Sequence, residues 1–176
     1  MPPKDKSIIN YGKGQGRIFI EQEYLPQLEG RVLFVGVNYY NEFYYLLARD
    51  PHAFETLDCV EERKQFGSPF THHVGNLLDF NRGRHSYDHV CCFGMLGHAD
   101  DWEILKEKEE VLACVSLLSD LVKPEGTLLL GPACSQTEFN FDFWNDLYNT
   151  MCTDQYEPLL QKRIDINYIL WAKKTN

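Results

Sequence analysis

Three residues combine side-chain type and position in a way that could do chemistry. Gly36 follows the apolar run "RVLFVG". It supplies a tight turn, after which the amides of residues 38–42 can face a ligand. Asp58 closes a second apolar run, "AFETLDC", where a carboxylate can accept hydrogen bonds from both hydroxyls of a ribose. His98 comes just after a later run, "YDHVCCFG", and is the best placed residue that titrates near neutrality. Asp100 and Asp101 follow it closely. Each also has a plainer reading: a turn glycine, a solvated or helix-capping aspartate, and a loop histidine beside a helix start.

The surrounding pattern supplies the elements that would position these groups. "RVLFVG" is a short continuous apolar run, the mark of a strand buried on both faces. "NEFYYLLARD" then reads as a helix. Asn41 can cap it, Phe43, Leu46 and Leu47 share one stripe, and Pro51 ends it. "AFETLDC", "THHVG", "YDHVCCFG" and "TLLLGP" read as the second to fifth strands. "VEERKQFG" reads as a short helix, and the longest helical signal covers 102–123 with "KEKEE" on its wet side. "KPEG" breaks that helix, a further helix carries Trp144, Leu147, Tyr148 and Met151, and "YEPLLQKRI" with "DINYILWAKK" forms a closing hairpin. Residues 18–28 read as a short helix or irregular segment ending near Pro26. Strands alternating with helices predict a Rossmann-like α/β three-layer sandwich: a mostly parallel seven-stranded sheet with an antiparallel last strand. Ligands in such sheets bind beyond the carboxyl ends of the strands, where the winding reverses, which is where Gly36, Asp58 and His98 fall.

Composition narrows the partners. The chain has 176 residues, 44% hydrophobic and 14% aromatic, enough for one domain with a true core. A formal net charge of −9 repels phosphate backbones, so long nucleic acid is disfavoured. No apolar run reaches membrane-spanning length and "MPPKDKSIIN" lacks a signal-peptide core, so no membrane association and a cytoplasmic location are expected. The six cysteines form no C-x-x-C pair, which suits reduced, buried thiols. Cys91 and Cys92 are strand neighbours and should point to opposite faces. His72, His73, His85 and His89 with Cys91 lack compact ligand spacing, and no metal site is expected. A nicotinamide fingerprint needs glycines where Gly36, Asn38 and Asn41 stand, so a dinucleotide dehydrogenase is disfavoured.

In order and spacing, these pieces resemble the class I S-adenosylmethionine-dependent methyltransferases, over about residues 30–173. "RVLFVGVNYY" occupies the place of that family's first motif, and "ETLDCVEE" the second, with Asp58 at the ribose-binding acid. "HHVGNLLDF" resembles the third, whose acidic or amide residue, here Asn76, approaches the adenine amine. "YDHVCCFGMLGHADDW" and "LLSDLVKPEGTLLLGP" resemble the fourth strand with its loop and the helix, turn and fifth strand. The first motif is divergent. Phe34 stands where the family has an acid, and Asn38 and Tyr40 stand at its later glycines.

The resemblance implies S-adenosylmethionine as cofactor. Contacts would come from Tyr11, Gly36, Val37, Asn38, Asp58, Cys59, Asn76, Leu77, Phe93 and Gly94, with His98 as the catalytic base. It implies methyl transfer to a small-molecule acceptor or one presented by a protein partner. Residues 1–29 form an N-terminal lead that could cover the cofactor, with Tyr11 of "NYGKGQG" lying on it, and residues 30–176 form the methyltransferase-like domain. Two other readings stay open: a non-catalytic methyltransferase-like binding protein, and an enzyme that cleaves S-adenosylmethionine.

Overall fold

The computed structural model describes residues 18–36, 53–58, 71–93, 96, 107–134, 139–164 and 167–175. These build a seven-stranded sheet from β1 (Val32–Val35), β2 (Phe54–Asp58), β3 (Thr71–Val74), β4 (Tyr87–Cys92), β5 (Val122–Cys134), β6 (Tyr156–Ile164) and β7 (Asn167–Lys174). Their order across the sheet is β3-β2-β1-β4-β5-β7-β6. The first five strands pair in parallel, whereas β7 lies antiparallel between β5 and β6. The expected sheet is thus present. The chain winds outward from β1 toward β3, then in the opposite direction from β4 toward β5, so the reversal falls between β1 and β4.

Alternation along the strands sends side chains to two separate cores. One face carries Leu33, Val35, Leu57, Val90, Cys92 and Leu128, covered by α1 (Lys108–Leu121) and α2 (Phe141–Asp154). The other carries Val32, Phe34, Phe54, Cys91, Leu129 and Ile169. Residues 18–27 cover this second face through a π turn (Ile20–Tyr24) and a 3-10 turn (Leu25–Gln27) containing Pro26. Ile20, Tyr24, Leu25 and Leu28 are all at most 2% exposed, so this segment is part of the core. Tyr24 pins it to the sheet: its hydroxyl lies 3.1 Å from Thr127 Oγ1 and accepts from the Cys91 thiol at 3.6 Å. His89 Nδ1 meets the same Thr127 hydroxyl at 2.7 Å. Cys91 and Cys92 take opposite faces, as their adjacency in a strand requires, and burial pushes the Cys91 thiol up to about 12.

Two boundaries differ from the sequence expectation. The helix expected over 102–123 begins at Lys108, because Glu107 is extended (ψ 142), and Glu109 and Glu110 occupy its first turn, where they complement the helix dipole. Asp100 and Asp101 lie outside the described residues, as do the helix expected at 41–50 and the one at 60–67. Leu112 is 46% exposed, whereas Val111 and Cys114 point inward. Second, β5 starts at Val122 rather than after "KPEG". The "KPEG" residues form a bulge, with register passing from Tyr87↔Val122 to His89↔Thr127. Glu125 adopts the left-handed conformation there (φ 64), and a Cβ on Gly126 would lie 2.5 Å from the Asp88 carbonyl oxygen.

The last strand also closes the end of α1. Lys174 is 4% exposed, and its ammonium donates to the carbonyls of Ser119 (2.7 Å) and Val122 (3.2 Å). Burial lowers its pKa, and these carbonyls at a helix C-terminus are where a cation is favoured. Lys174→Met keeps the stem but removes the donor. It is expected to cost about 1–3 kcal/mol, read as a lower urea midpoint at unchanged m value.

Candidate functional site

At the carboxyl ends of the strands, backbone hydrogen bonds tie the tips into one row. Phe93 N donates to Val35 O (2.8 Å), Gly36 N to Leu57 O (3.0 Å) and Gly75 N to Asp58 O (3.0 Å). The first residues past β4, β1 and β3, together with the end of β2, are thereby aligned. Neighbouring strands lie about 4.8 Å apart, so Asp58 and Phe93 stand about 10 Å apart across the row, with Gly36 between them. Gly36 has φ 74, a conformation that strains an L-residue, and it adds no side chain to this strip. Asp58 shares its strand face with Phe54 and Thr56, the face covered by residues 18–27, and is half-buried. Phe93 belongs to the same face.

An aromatic stack stands beneath the strip. Phe34 is fully buried, lies parallel to Phe93 (centroids 5.4 Å apart, 16° between planes) and meets Phe54 edge-on at 5.9 Å. The sequence marked Phe34 only as a missing acid. A period of two from Gly36 would have put Phe34 on the Phe93 side, but its stacking partner appears only once β1 and β4 are paired.

Beyond β3, Asn76 caps the 3-10 turn Leu77–Asp79, its Oδ1 accepting from Leu78 N at 3.0 Å. Leu77 turns inward and is 2% exposed in the α1–α2 core. The structure therefore brings Gly36, Asp58, Asn76 and Phe93 to one end of the sheet, and commits the Leu77 side chain to packing. Tyr11, Val37, Asn38, Cys59, Gly94 and His98 lie outside the described residues.

The histidine pair of β3 is divided between the two faces. His72 Nδ1 meets Thr56 Oγ1 at 2.6 Å, and His73 Nε2 meets Glu55 Oε2 at 2.6 Å. Among the described residues no three His, Cys, Asp or Glu side chains converge as metal ligands. Sequence reading passed over Glu55, whose side chain is 11% exposed and bonded from three sides. Arg31 donates through Nε (3.1 Å) and its terminal nitrogen, Tyr87 through its hydroxyl (3.0 Å), and His73 completes the set. Glu55 is the second residue of its strand while Asp58 closes it, so this cluster braces the far end of the sheet.

Burial alone would raise the Glu55 pKa, but the bonds from His73, Arg31 and Tyr87 outweigh it and hold the carboxyl below the usual range. A depressed carboxylate contributes stability in full above its unfolded pKa, about 4.3, and loses it as pH falls through the folded value. The melting temperature is therefore expected to drop on acidification below about pH 4. Glu55→Gln should lower it at pH 7 and flatten that acid limb; a parallel profile would show that other groups carry it.

No protein-family model matches the sequence, and no curated protein matches it. Solved structures do match in shape. A phosphoethanolamine N-methyltransferase from Haemonchus contortus, solved with phosphoethanolamine and S-adenosylhomocysteine, superposes with a TM-score of 0.64 at 13% identity, over 99% of this chain and 46% of its own. The magnesium protoporphyrin IX methyltransferase of Synechocystis PCC 6803, solved with bound S-adenosylmethionine, gives 0.58 at 16%, over 97% and 77%. The chain has the fold of the class I S-adenosylmethionine-dependent methyltransferases. The 1,6-didemethyltoxoflavin-N1-methyltransferase of Burkholderia thailandensis, bound to its substrate and S-adenosylhomocysteine, gives 0.56 at 14%, over 84% and 72%. The chain thus spans from under half to about three quarters of these methyltransferases, and what it shares with them is the fold. Within this methyltransferase fold, the row Asp58–Gly36–Phe93 lies along the strand tips that flank the reversal.

Proposed function

We propose that the protein is an S-adenosylmethionine-dependent methyltransferase acting on a small molecule or on an acceptor presented by a protein partner. The observation that carries this reading is the single row of strand tips, with a carboxylate at one end, a side-chain-free left-handed turn in the middle and a buried ring at the other. That set fits an adenosine: the carboxylate accepts from the ribose hydroxyls, the bare Gly36 backbone permits close approach, and apolar groups flank the base. Asp58 would hold the ribose, Asn76 and the backbone of Leu77 would border the adenine, and Gly36 with Phe93 would form the floor. Val37, Asn38, Cys59 and Gly94, the neighbours of these residues in sequence, complete the same proposal, as does Tyr11 from the segment ahead of the domain.

When bound, the cofactor supplies a methyl group on a sulfonium, reactive toward in-line attack. The protein's own work is alignment and exclusion of water. A base is needed only where the acceptor starts protonated, and His98, following β4, is proposed for that step. The net charge of −9 favours an uncharged or cationic acceptor over long nucleic acid.

One observation favours a second reading, binding without transfer. The position of the family's acid is filled by Phe34, whose ring is fully buried, so no carboxylate from that position reaches the methionine end of a cofactor. Calorimetric titration with S-adenosylhomocysteine, followed by incubation with methyl-labelled S-adenosylmethionine and a panel of small acceptors, separates the readings. Binding with label transfer supports the methyltransferase. Binding with neither transfer nor cofactor loss supports the non-catalytic protein, and cofactor loss without transfer supports a cleaving enzyme. Absence of binding overturns both enzyme readings and favours a non-catalytic protein that binds a partner instead of the cofactor.

A further inference from the structure

A chain of hydrogen bonds joins residues 18–29 to the sheet beneath them, and its two ends fix its direction. At one end the Cys91 thiol donates to the Tyr24 hydroxyl at 3.6 Å. The Tyr24 hydroxyl lies 3.1 Å from Thr127 Oγ1, which lies 2.7 Å from His89 Nδ1. At the other end the His89 ring bonds the Glu29 backbone in a way that favours a proton on the ring, so the partner there is a carbonyl. With Nδ1 taken by Thr127, that bond falls to Nε2. A neutral imidazole has one N–H, and a hydroxyl has one proton to give. Nδ1 is therefore the acceptor: Cys91 gives to Tyr24, Tyr24 to Thr127, and Thr127 to His89.

The ring thus sits between the sheet and a segment whose Leu25 and Leu28 are at most 2% exposed. His89 is partly buried on β4, in register with Val32 of β1 and Thr127 of β5. Two carboxylates act on it and favour a charged ring: Glu29 in the segment and Asp88 beside it on β4. Asp88 is itself paired with Lys123 Nζ at 2.9 Å and with the Arg31 backbone N–H at 2.8 Å, and the Arg31 guanidinium is turned to Glu55. Burial outweighs both carboxylates and holds the His89 pKa below the usual histidine value. The docked segment therefore favours the neutral ring, and an undocked one, which lets water reach it, favours the charged ring. Docking is strongest above the ordinary histidine pKa of about 6.5 and weakens as pH falls from there toward the lowered value. A proton on Nδ1 also makes a donor of the acceptor that ends the chain. Thr127 and Tyr24 must then reverse, and Tyr24 is left donating to a thiol sulfur, a weak acceptor.

We propose that His89 is a proton-operated latch: when Nδ1 takes a proton from solvent, the chain of bonds is broken and residues 18–28 are released from the sheet while the rest of the fold stays closed. The latch does not rest on the proposed transferase activity.

Hydrogen exchange of the full chain, read by mass spectrometry over roughly pH 5–8 and corrected for intrinsic amide rates, follows the opening of residues 18–28 and of α1 separately. The opening constant of residues 18–28 is expected to stay level above about pH 6.5 and to rise below it by up to about ten-fold per pH unit, with α1 protected throughout. His89→Asn offers Thr127 an oxygen near the Nδ1 position but has no titrating ring, so it should abolish the rise. Tyr24→Phe removes the tie and keeps the ring. Its residues 18–28 should open about five-fold more at every pH, the effect of one net hydrogen bond, with the rise retained. In the unmodified chain, ¹⁵N-histidine spectra at neutral pH should show His89 with its hydrogen on Nε2. A flat response in the unmodified chain, or an equal rise in His89→Asn, overturns the proposal. So does loss of α1 protection in step with residues 18–28, or a His89 ring with its hydrogen on Nδ1 at neutral pH.

Discussion

S-adenosylhomocysteine at a hundredfold its dissociation constant is expected to raise the melting temperature by about 5–10 °C, and Asp58→Ala to remove that rise. A ligand at that excess adds about 2.7 kcal/mol, and a chain of this size gains about 2–4 °C per kcal/mol. The substitution acts because Asp58 is the one carboxylate that the described residues place at the tips of β1, β2 and β4, two strands from Phe93. Half-buried at a strand end, its carboxylate can present acceptors to two hydroxyls. Alanine leaves those hydroxyls facing an apolar methyl, with no water held in the carboxylate's place. The comparison is made within each protein, with and without ligand, so any change in baseline stability cancels. A rise that survives in Asp58→Ala rules out the ribose contact while leaving the fold assignment untouched.

Phe34→Ala is expected to destabilise the protein by about 3–5 kcal/mol, lowering the melting temperature by on the order of 10 °C. The ring is fully buried between Phe54 and Phe93, and its loss opens a cavity at the root of the strand-tip row. Phe34→Leu, which keeps most of the volume, should recover much of the loss. Phe34→Asp, which places an acid where the resembled family has one, should be worse than alanine, since it buries a carboxylate among rings. Denaturant unfolding of the three variants decides this. A mild effect of Phe34→Asp would mean that the strip is wet and the stack dispensable.

The strands were legible because buried parallel strands write themselves as short, unbroken apolar runs, as in "RVLFVG" and "YDHVCCFG". Gly36 and Asp58 were legible for a related reason: each follows such a run directly, and the tips of a parallel sheet are where ligands gather. The start of α1 was not, because the charged stretch "KEKEE" suits an exposed helix as well as an extended entry, and only the backbone at Glu107 separates them. Nor was the early start of β5. A strand carrying "KPEG" needs a bulge, and the fit of Gly126 in it, where a Cβ would lie 2.5 Å from the Asp88 carbonyl oxygen, shows only once β4 is paired alongside. Glu55 escaped notice for a similar reason: a lone glutamate in an apolar run says nothing until Arg31, His73 and Tyr87 arrive from three other parts of the chain.

By itself, then, the sequence determined which segments become strands, that most run parallel, that the winding reverses between the first and fourth, and which residues end each strand. Those are local matters, set by apolar periodicity, turn chemistry and the short reach of neighbouring residues. The tertiary structure alone decided which of two faces each side chain joined: Phe34 with Phe93, His72 apart from His73, Lys174 under the end of a helix, Trp171 edge-on to Tyr24. A period of two separates the faces of a strand without naming what covers either one. That is settled only when residues dozens of positions apart are packed together, and burial then fixes whether each charge, ring or N–H has a partner.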